Sequence, residues 1–584
     1  MLGENPTGTV AGGVARVAPA GTPGAPRSRR VLSVLSALRR ALTPAPGSAW
    51  RDPVILVIAA LTCGAYFVIS LYRLLQLVPS SYDMGIYTEF VRQLAQLHAP
   101  IDDALGAGFN LEGNHFQIAV GVIAPFFRLF PTAGTLLFFQ ALFAALSVFP
   151  VVTVALQFTG RRSTARLIGF AYAFSWGLQQ MINDDFHEIA LAVPLLAFAI
   201  AALVRRRPGA AIAWAVPLVF VKEDQGFTVA AIGLLLGATA AFPRLLPGPP
   251  GSITAPAPAR PAVSGRPAWR RWLAWLGARL PTGVDPYDYG YAALWGGLFL
   301  VTWGLFWSTF AITVIIPHFN PLHQYYFWTN GGAVGGGKPF SASALLVQAG
   351  GGWPTKAQTL ALLFLPTAFA ALGSPVALLA VPALALRFIS TNQMFWGTGW
   401  HYNATVMPIL FIAAVDAIGR WRRTPATAWP ASEATASAET GRPASGLRGL
   451  VHATQMGLVR HGGAMMAAIA IALTFQFPLS NLWHSSTYKL DDHVAAADAA
   501  MAVVPDGATV TTTLDLLAPL GARTDTFWIG NAGNPVTQYI VFDGVNSGYS
   551  PPITDVPGFV AHWYPNDGYQ QVYAADGVYV FRRG

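Results

Sequence analysis

Three short stretches of this chain concentrate the side chains that move protons or hold cations. The first carries Asp83, Glu89, Asp102, Asp103 and Glu112, with His115 behind Gly113-Asn114. The second is Asn183-Asp184-Asp185-Phe186-His187-Glu188, and the third is Val221-Lys222-Glu223-Asp224-Gln225. A fourth, Trp400-His401-Tyr402, adds an imidazole and a phenol. Carboxylates and imidazoles are the usual carriers of protons in general acid–base chemistry. Asp184, Asp185, His187 and Glu188 are also metal-ligand types, although their spacing within one turn specifies no particular ion. Each piece has an ordinary structural reading beside the chemical one. Asp83, after Ser81-Tyr82, suits the cap of a helix starting at Met84. Lys222 and Glu223 suit an ion pair at a helix end, and His401 suits an aromatic belt with Trp396, Trp400 and Tyr402. What sets these residues apart is the side of the membrane they share.

That side follows from composition and charge. The chain has 584 residues, 53% hydrophobic and only 11% charged, with a mean hydropathy of +0.45. Soluble domains carry about 25% charged residues, so a disordered chain and an ordinary soluble enzyme are both excluded. Recurrent long apolar runs identify a multi-pass membrane protein. Cys63 is the one cysteine, inside the first apolar run, which rules out a disulfide framework and a cysteine metal site. The net charge of +9 could suggest nucleic acid. Its basic residues instead form short clusters between apolar runs, so no nucleic-acid partner is expected.

Eleven membrane helices are expected, near 53–78, 134–159, 164–182, 189–204, 209–221, 225–242, 291–317, 357–373, 375–390, 404–419 and 463–482. Residues 116–130, short and interrupted by Pro125 and Arg128, read as an interfacial piece. With the N-terminus inside, cytosolic segments hold 25 Lys and Arg against 9 in exterior ones, as the positive-inside rule requires. Residues 1–50 read as a cytosolic tail ending in an amphipathic stretch, Arg29 to Leu42. Within these residues no apolar run is long enough for the core of a signal peptide. Residues 51–482 form the transmembrane domain, with Pro-, Ala- and Ser-rich cytosolic linkers at 243–290 and 420–462. Residues 483–584 change character. A helix over Asp491–Val504 and strand-like runs at Thr509–Thr513, Tyr539–Phe542 and Gln571–Phe581, separated by Asp-Gly turns, predict a small exterior α/β domain.

The acids are distributed unevenly on this layout. Of 27, 10 lie in the C-terminal domain and 10 in the three stretches above, all on the exterior side. Ionisable groups at membrane boundaries of this kind usually mark a functional site. Gly332 to Lys338 matches the start of a phosphate-binding loop, but Pro339 stands where Ser or Thr must bind magnesium, so no nucleotide site is expected.

An early first-loop Asp, short helix hairpins and a C-terminal exterior domain resemble the plan of the polytopic C-type glycosyltransferase superfamily. More closely, Tyr82-Asp-Met-Gly-Ile-Tyr87 with Gly113-Asn-His-Phe116, Asp185-Phe-His-Glu188 with Lys222-Glu-Asp224, and His401-Tyr402 before Pro408 resemble an uncharacterised bacterial family of predicted membrane proteins. That family is related to the protein O-mannosyltransferases. The resemblance covers roughly residues 53 to 420. It implies an α-helical polytopic membrane protein that takes a sugar from a polyprenyl-phosphate donor and passes it to an exterior hydroxyl. Asp83 then matches the first-loop acid used as base or metal ligand, with His115 and Glu223 beside it as catalytic groups. Lys222, Asp224, His187, His401 and Tyr402 are expected to bind substrate. Asp184, Asp185 and Glu188 are the expected ligands of a divalent metal, Mg or Mn. A transporter or flippase is the alternative, though no internal repeat supports one; a non-catalytic scaffold would not need these clusters.

Overall fold

The computed structural model describes residues 49–78, 83–250, 289–325, 349–423 and 447–584. The N-terminal tail with Arg29–Leu42, Tyr82, most of the first linker, the Gly332–Lys338 loop and residues 424–446 lie outside the described residues.

The transmembrane part is helical throughout. Its helices are α1 (Pro53–Leu75), α2 (Asp83–Ala95), α3 (Ala133–Thr159), α4 (Arg162–Ala173), α5 (Trp176–Asn183), α6 (Ile189–Val204), α7 (Pro208–Ala215), α8 (Gln225–Ala241), α9 (Tyr289–Phe310), α10 (Trp353–Phe364), α11 (Val381–Phe388), α12 (Val406–Arg423) and α13 (Leu447–Thr474). Among the described residues, five stretches are long and apolar enough to cross a membrane. They are Pro53–Leu75, Ala133–Thr159, Tyr289–Phe319, His401–Arg423 and Gly449–Thr474. Ile189–Val204, Pro208–Phe220, Gln225–Ala241 and Pro375–Phe388 are apolar but shorter.

Local chemistry explains the ends. Asp52 caps α1 through the Val54 amide at 3.0 Å, with Pro53 in the first turn. Arg166 of α4 grips the same carboxylate with two nitrogens, at 3.0 and 3.1 Å. Gly160 closes α3 in the left-handed conformation.

Three expected helices have other bounds in the structure. The stretch 164–182 breaks at Phe174-Ser175 into α4 and α5, where the Tyr66 hydroxyl of α1 donates to the Ala173 carbonyl at 2.6 Å. Residues 357–373 end as α-helix at Phe364, because Pro366 and the left-handed Ala368 and Phe369 cannot continue it. The helix expected from 463 starts earlier, at Leu447, so Arg460 and His461 ride on it.

The C-terminal residues build one five-stranded sheet. It comprises β1 (Thr509–Thr512), β2 (Asp525–Trp528), β3 (Tyr539–Asp543), β4 (Tyr569–Ala575) and β5 (Val578–Arg583), in the order β2-β1-β3-β5-β4. β1 runs parallel to β2 and β3, whereas β5 is antiparallel to β3 and β4. The expected run Gln571–Phe581 is thus a hairpin turning at Asp576-Gly577. Strand β2 and the helices α15 (Leu517–Gly521) and α16 (Val556–Trp563) escaped the periodicity; α14 (Asp492–Ala502) did not.

This domain is fastened to α2 and its flanks. Leu77, just beyond α1, is buried in the domain's own core with Ala497, Val510, Leu520 and Val541. α15 packs on α2. Arg92 of α2 pairs with Asp525 of β2 at 2.8 Å, and the Asn531 amide donates to the Ala104 carbonyl of the first loop at 2.6 Å.

Candidate active site

One cavity of about 350 Å³ receives its ionisable side chains chiefly from the start of α2, the loop 111–117, the loop between α5 and α6, the turn before α8 and the turn before α12, with α11 and the end of the α9 stretch closing its other walls. Local structure fixes each. In the loop, Asn110 accepts from the Glu112 amide at 3.0 Å, and Asn320 beyond α9 donates to the Gly113 carbonyl at 2.8 Å. A side chain at Gly113 would meet the Phe319 carbonyl carbon at 2.6 Å, so only glycine allows this approach. It presents Asn114 and His115 to the cavity.

Asp83 opens α2, one residue earlier than the sequence suggested, and its carboxylate lies 3.1 Å from Nε2 of the buried His187. His187 stacks on His401, ring centres 3.6 Å apart and planes inclined by 29°. His401 in turn meets Asp184 twice, through its backbone amide at 3.0 Å and Nδ1 at 2.6 Å. Two aspartates therefore bracket two imidazoles. Burial favours a neutral imidazole at His187, but the hydrogen bond and charge of Asp83 and the charges of Asp184 and Glu188 outweigh it and push it up to about 9. Burial pushes Asp184 up to about 6, against the pull of His187 and of the His401 amide.

A second group surrounds Lys222. Its ammonium lies 2.6 Å from Glu188, which also accepts from the Tyr87 hydroxyl, itself 2.9 Å from the Gln117 amide oxygen. Burial disfavours both charges. Lys222 nevertheless holds Glu188 well below the usual carboxylate range, and Glu188 with its neighbours raises Lys222. Glu223 takes His115 Nδ1 and the Tyr325 hydroxyl, each at 2.8 Å, and the Phe116 amide at 3.2 Å. Despite burial, His115 and Lys222 lower its pKa. Asp224 also lines the cavity, bonded to the Gln225 amide at 3.0 Å, and burial raises its pKa.

The cavity wall thus collects Asp83, His115, His187, Glu188, Lys222, Glu223, Asp224, His401 and Tyr402. Asp184 stands behind His401. Asp185 is not brought to the cavity: its left-handed backbone (φ 52°) turns it toward Arg73, 4.0 Å away, beside Asp515 of the C-terminal domain. Sequence reasoning passed over Tyr87, Gln117, Tyr325 and Arg387. The last was visible as an arginine inside an expected membrane helix. It bonds to the carbonyls of Phe395, Gly397 and Tyr402 and to the Asn403 side chain, and so shapes the turn that delivers His401.

The expected metal ligands separate. Glu188 is engaged by Lys222 and Tyr87, and Asp185 faces away. Asp184, His187 and His401 do offer donor atoms within 4.8 Å of one another, and among the described residues His187 Nδ1 is buried without a hydrogen-bond partner. The donor types suit a divalent ion. The ring orientation does not, since planes tilted by 29° and centred 3.6 Å apart meet roughly 7 Å from the ring centres. A metal held by bonds of about 2 Å cannot lie in both planes. One ring must turn before the pair can share an ion.

Crystal structures of ArnT from Cupriavidus metallidurans bound to undecaprenyl phosphate and of the Archaeoglobus fulgidus oligosaccharyltransferase are similar to the chain. The first is 13% identical with a TM-score of 0.47, covering 91% of this chain and 98% of that one. The second, in its apo form, is 13% identical with a TM-score of 0.33, covering 92% and 75%. The archaeal oligosaccharyltransferase AglB from Archaeoglobus fulgidus, in complex with an inhibitory peptide and a dolichol-phosphate, is also 13% identical, with a TM-score of 0.33 and covering 92% and 74%. No curated protein matches. A family model described as predicted membrane protein (DUF2079) matches residues 73–544, and the chain therefore belongs to that family of membrane proteins.

Proposed function

We propose that this protein transfers a sugar from a polyprenyl-phosphate donor to an acceptor hydroxyl on the exterior side of the membrane. The observation that supports this most is the composition of the cavity wall. Carboxylates, imidazoles and Lys222 from the loops meet Phe227 of α8, Ile312 of the α9 extension, and Ala383 and Leu386 of α11, all on apolar helices. A lipid phosphate offers the matching pair of an anion and a hydrocarbon.

Asp83 removes the acceptor proton as that oxygen bonds to the anomeric carbon. The bond from that carbon to the phosphate oxygen breaks, passing through an oxocarbenium-like state next to a carboxylate. The departing phosphate gains a negative charge, which Lys222 and the protonated His187 offset. His187 also orients Asp83. His115, fixed by Glu223 and Tyr325, serves as a second proton carrier. Asp224, His401 and Tyr402 are left to hold sugar hydroxyls.

Undecaprenyl phosphate binding to the purified protein tests the donor class. Because Lys222 and Glu188 form a buried pair, removing one alone would strand the other at a cost of about 3–5 kcal/mol. The double variant Lys222→Gln/Glu188→Gln avoids this. It is expected to bind the lipid at least about tenfold more weakly than wild type. Equal binding, or no binding by wild type, counts against the reading.

A further inference from the structure

Gln140 belongs to none of the clusters, yet it touches the most unusual backbone in the site. It lies in α3, an apolar membrane helix, and is fully buried. Its amide nitrogen donates to the carbonyls of Asp185 at 2.6 Å and Met181 at 3.2 Å. Its oxygen accepts from the His187 amide at 3.1 Å. Met181 belongs to the last turn of α5, and Asp185 and His187 to the short connection from α5 to α6. Within it, the left-handed Asp185 turns Asp184 and His187 one way and its own side chain the other. A non-glycine residue in this conformation costs on the order of 1 kcal/mol or more and persists only where its surroundings impose it. An amide deep in a low-dielectric interior, bonded at both ends, is such a surrounding.

We propose that Gln140 is a positioning residue: it holds the backbone of 181–187 so that His187 stays against Asp83 and Asp184 stays against His401. The proposal rests on the transfer reading for its effect on rate, but not for its effect on the loop. Two variants separate these. Gln140→Leu removes all three bonds. Gln140→Glu keeps the acceptor for the His187 amide; when ionised it loses both donors, and when protonated it regains one toward Asp185.

Hydrogen–deuterium exchange of the full-length protein reads the loop directly. In Gln140→Leu, exchange in peptides spanning 184–190 is expected to rise at least about tenfold while α3 and α12 stay protected. In Gln140→Glu, protection is expected to return as pH falls from about 8 to about 6. Transfer kinetics should follow the same pattern, with kcat reduced and the donor KM little changed, and with recovery at low pH only in Gln140→Glu. A loss of protection spread over the whole protein would mean a folding defect and would overturn the local role. Unchanged exchange at 184–190 would overturn the proposal, as would lost protection with undiminished kcat. If wild type transfers nothing, the transfer reading fails separately, and the exchange pattern alone decides the positional claim.

Discussion

Charge pairing at single residues organises the cavity. Asp83 faces His187, Asp184 faces His401, Glu188 faces Lys222, and Glu223 faces His115. The residues themselves were legible in the sequence, because an ionisable group is costly in so apolar a chain and its presence needs a reason; the pairs were not, and Lys222 bonds Glu188 where the sequence suggested its neighbour Glu223. Tyr87, Gln117 and Tyr325 were not, since neutral polar side chains carry no such signal. Asp185 was misleading for a different reason: grouping it with Asp184, His187 and Glu188 assumed one regular helical turn, and here its backbone is left-handed. The His187 environment makes a pH prediction. An imidazole raised from 6.5 to about 9 contributes stability that is full below pH 6.5 and lost as pH rises through about 9, on the order of 3 kcal/mol. Melting temperatures of wild type and His187→Gln should differ most near pH 6 and converge toward pH 10. A constant difference across that range would show that His187 is not charged in the fold.

At the scale of elements, the site depends on helix pairs packed more tightly than side chains allow. α8, which follows Lys222–Asp224, meets α9 through Gly226 and Gly233 against Gly304 and Gly297. A Cβ at Gly233 would stand 2.6 Å from the Gly297 carbonyl oxygen. Membrane helices use small residues in this way to approach closely. Gly304→Leu should cost about 1–3 kcal/mol in stability by thermal melt, whereas Gly64→Leu, facing open space on α1, should be near neutral. Equal effects would remove the packing argument. The long apolar helices were readable from composition alone. The break between α4 and α5 was not, because no proline or glycine marks it and the Tyr66 hydroxyl that caps it comes from another helix. Strand β2, Asp525-Thr-Phe-Trp528, was not, because it has one β-branched residue where the equally short Thr509–Thr512 has four.

The whole molecule joins a membrane bundle to a domain that grips the first loop and α2, the helix opened by Asp83. From the excess of Lys and Arg in the expected cytosolic segments we propose that this domain lies outside and the N-terminus inside. In a Cys63→Ala background, a membrane-impermeant maleimide should label Asp506→Cys in intact cells and Arg162→Cys only after permeabilisation; the reverse pattern would invert the topology. The account as a whole turns on Asp83. The most direct measurement compares wild type with Asp83→Asn in a transfer assay using radiolabelled polyprenyl-phosphate sugars, alongside thermal melts of both. The account predicts transfer by wild type, a loss of about a hundredfold or more in Asp83→Asn, and matching melts. Full transfer by an equally stable Asp83→Asn protein would contradict it.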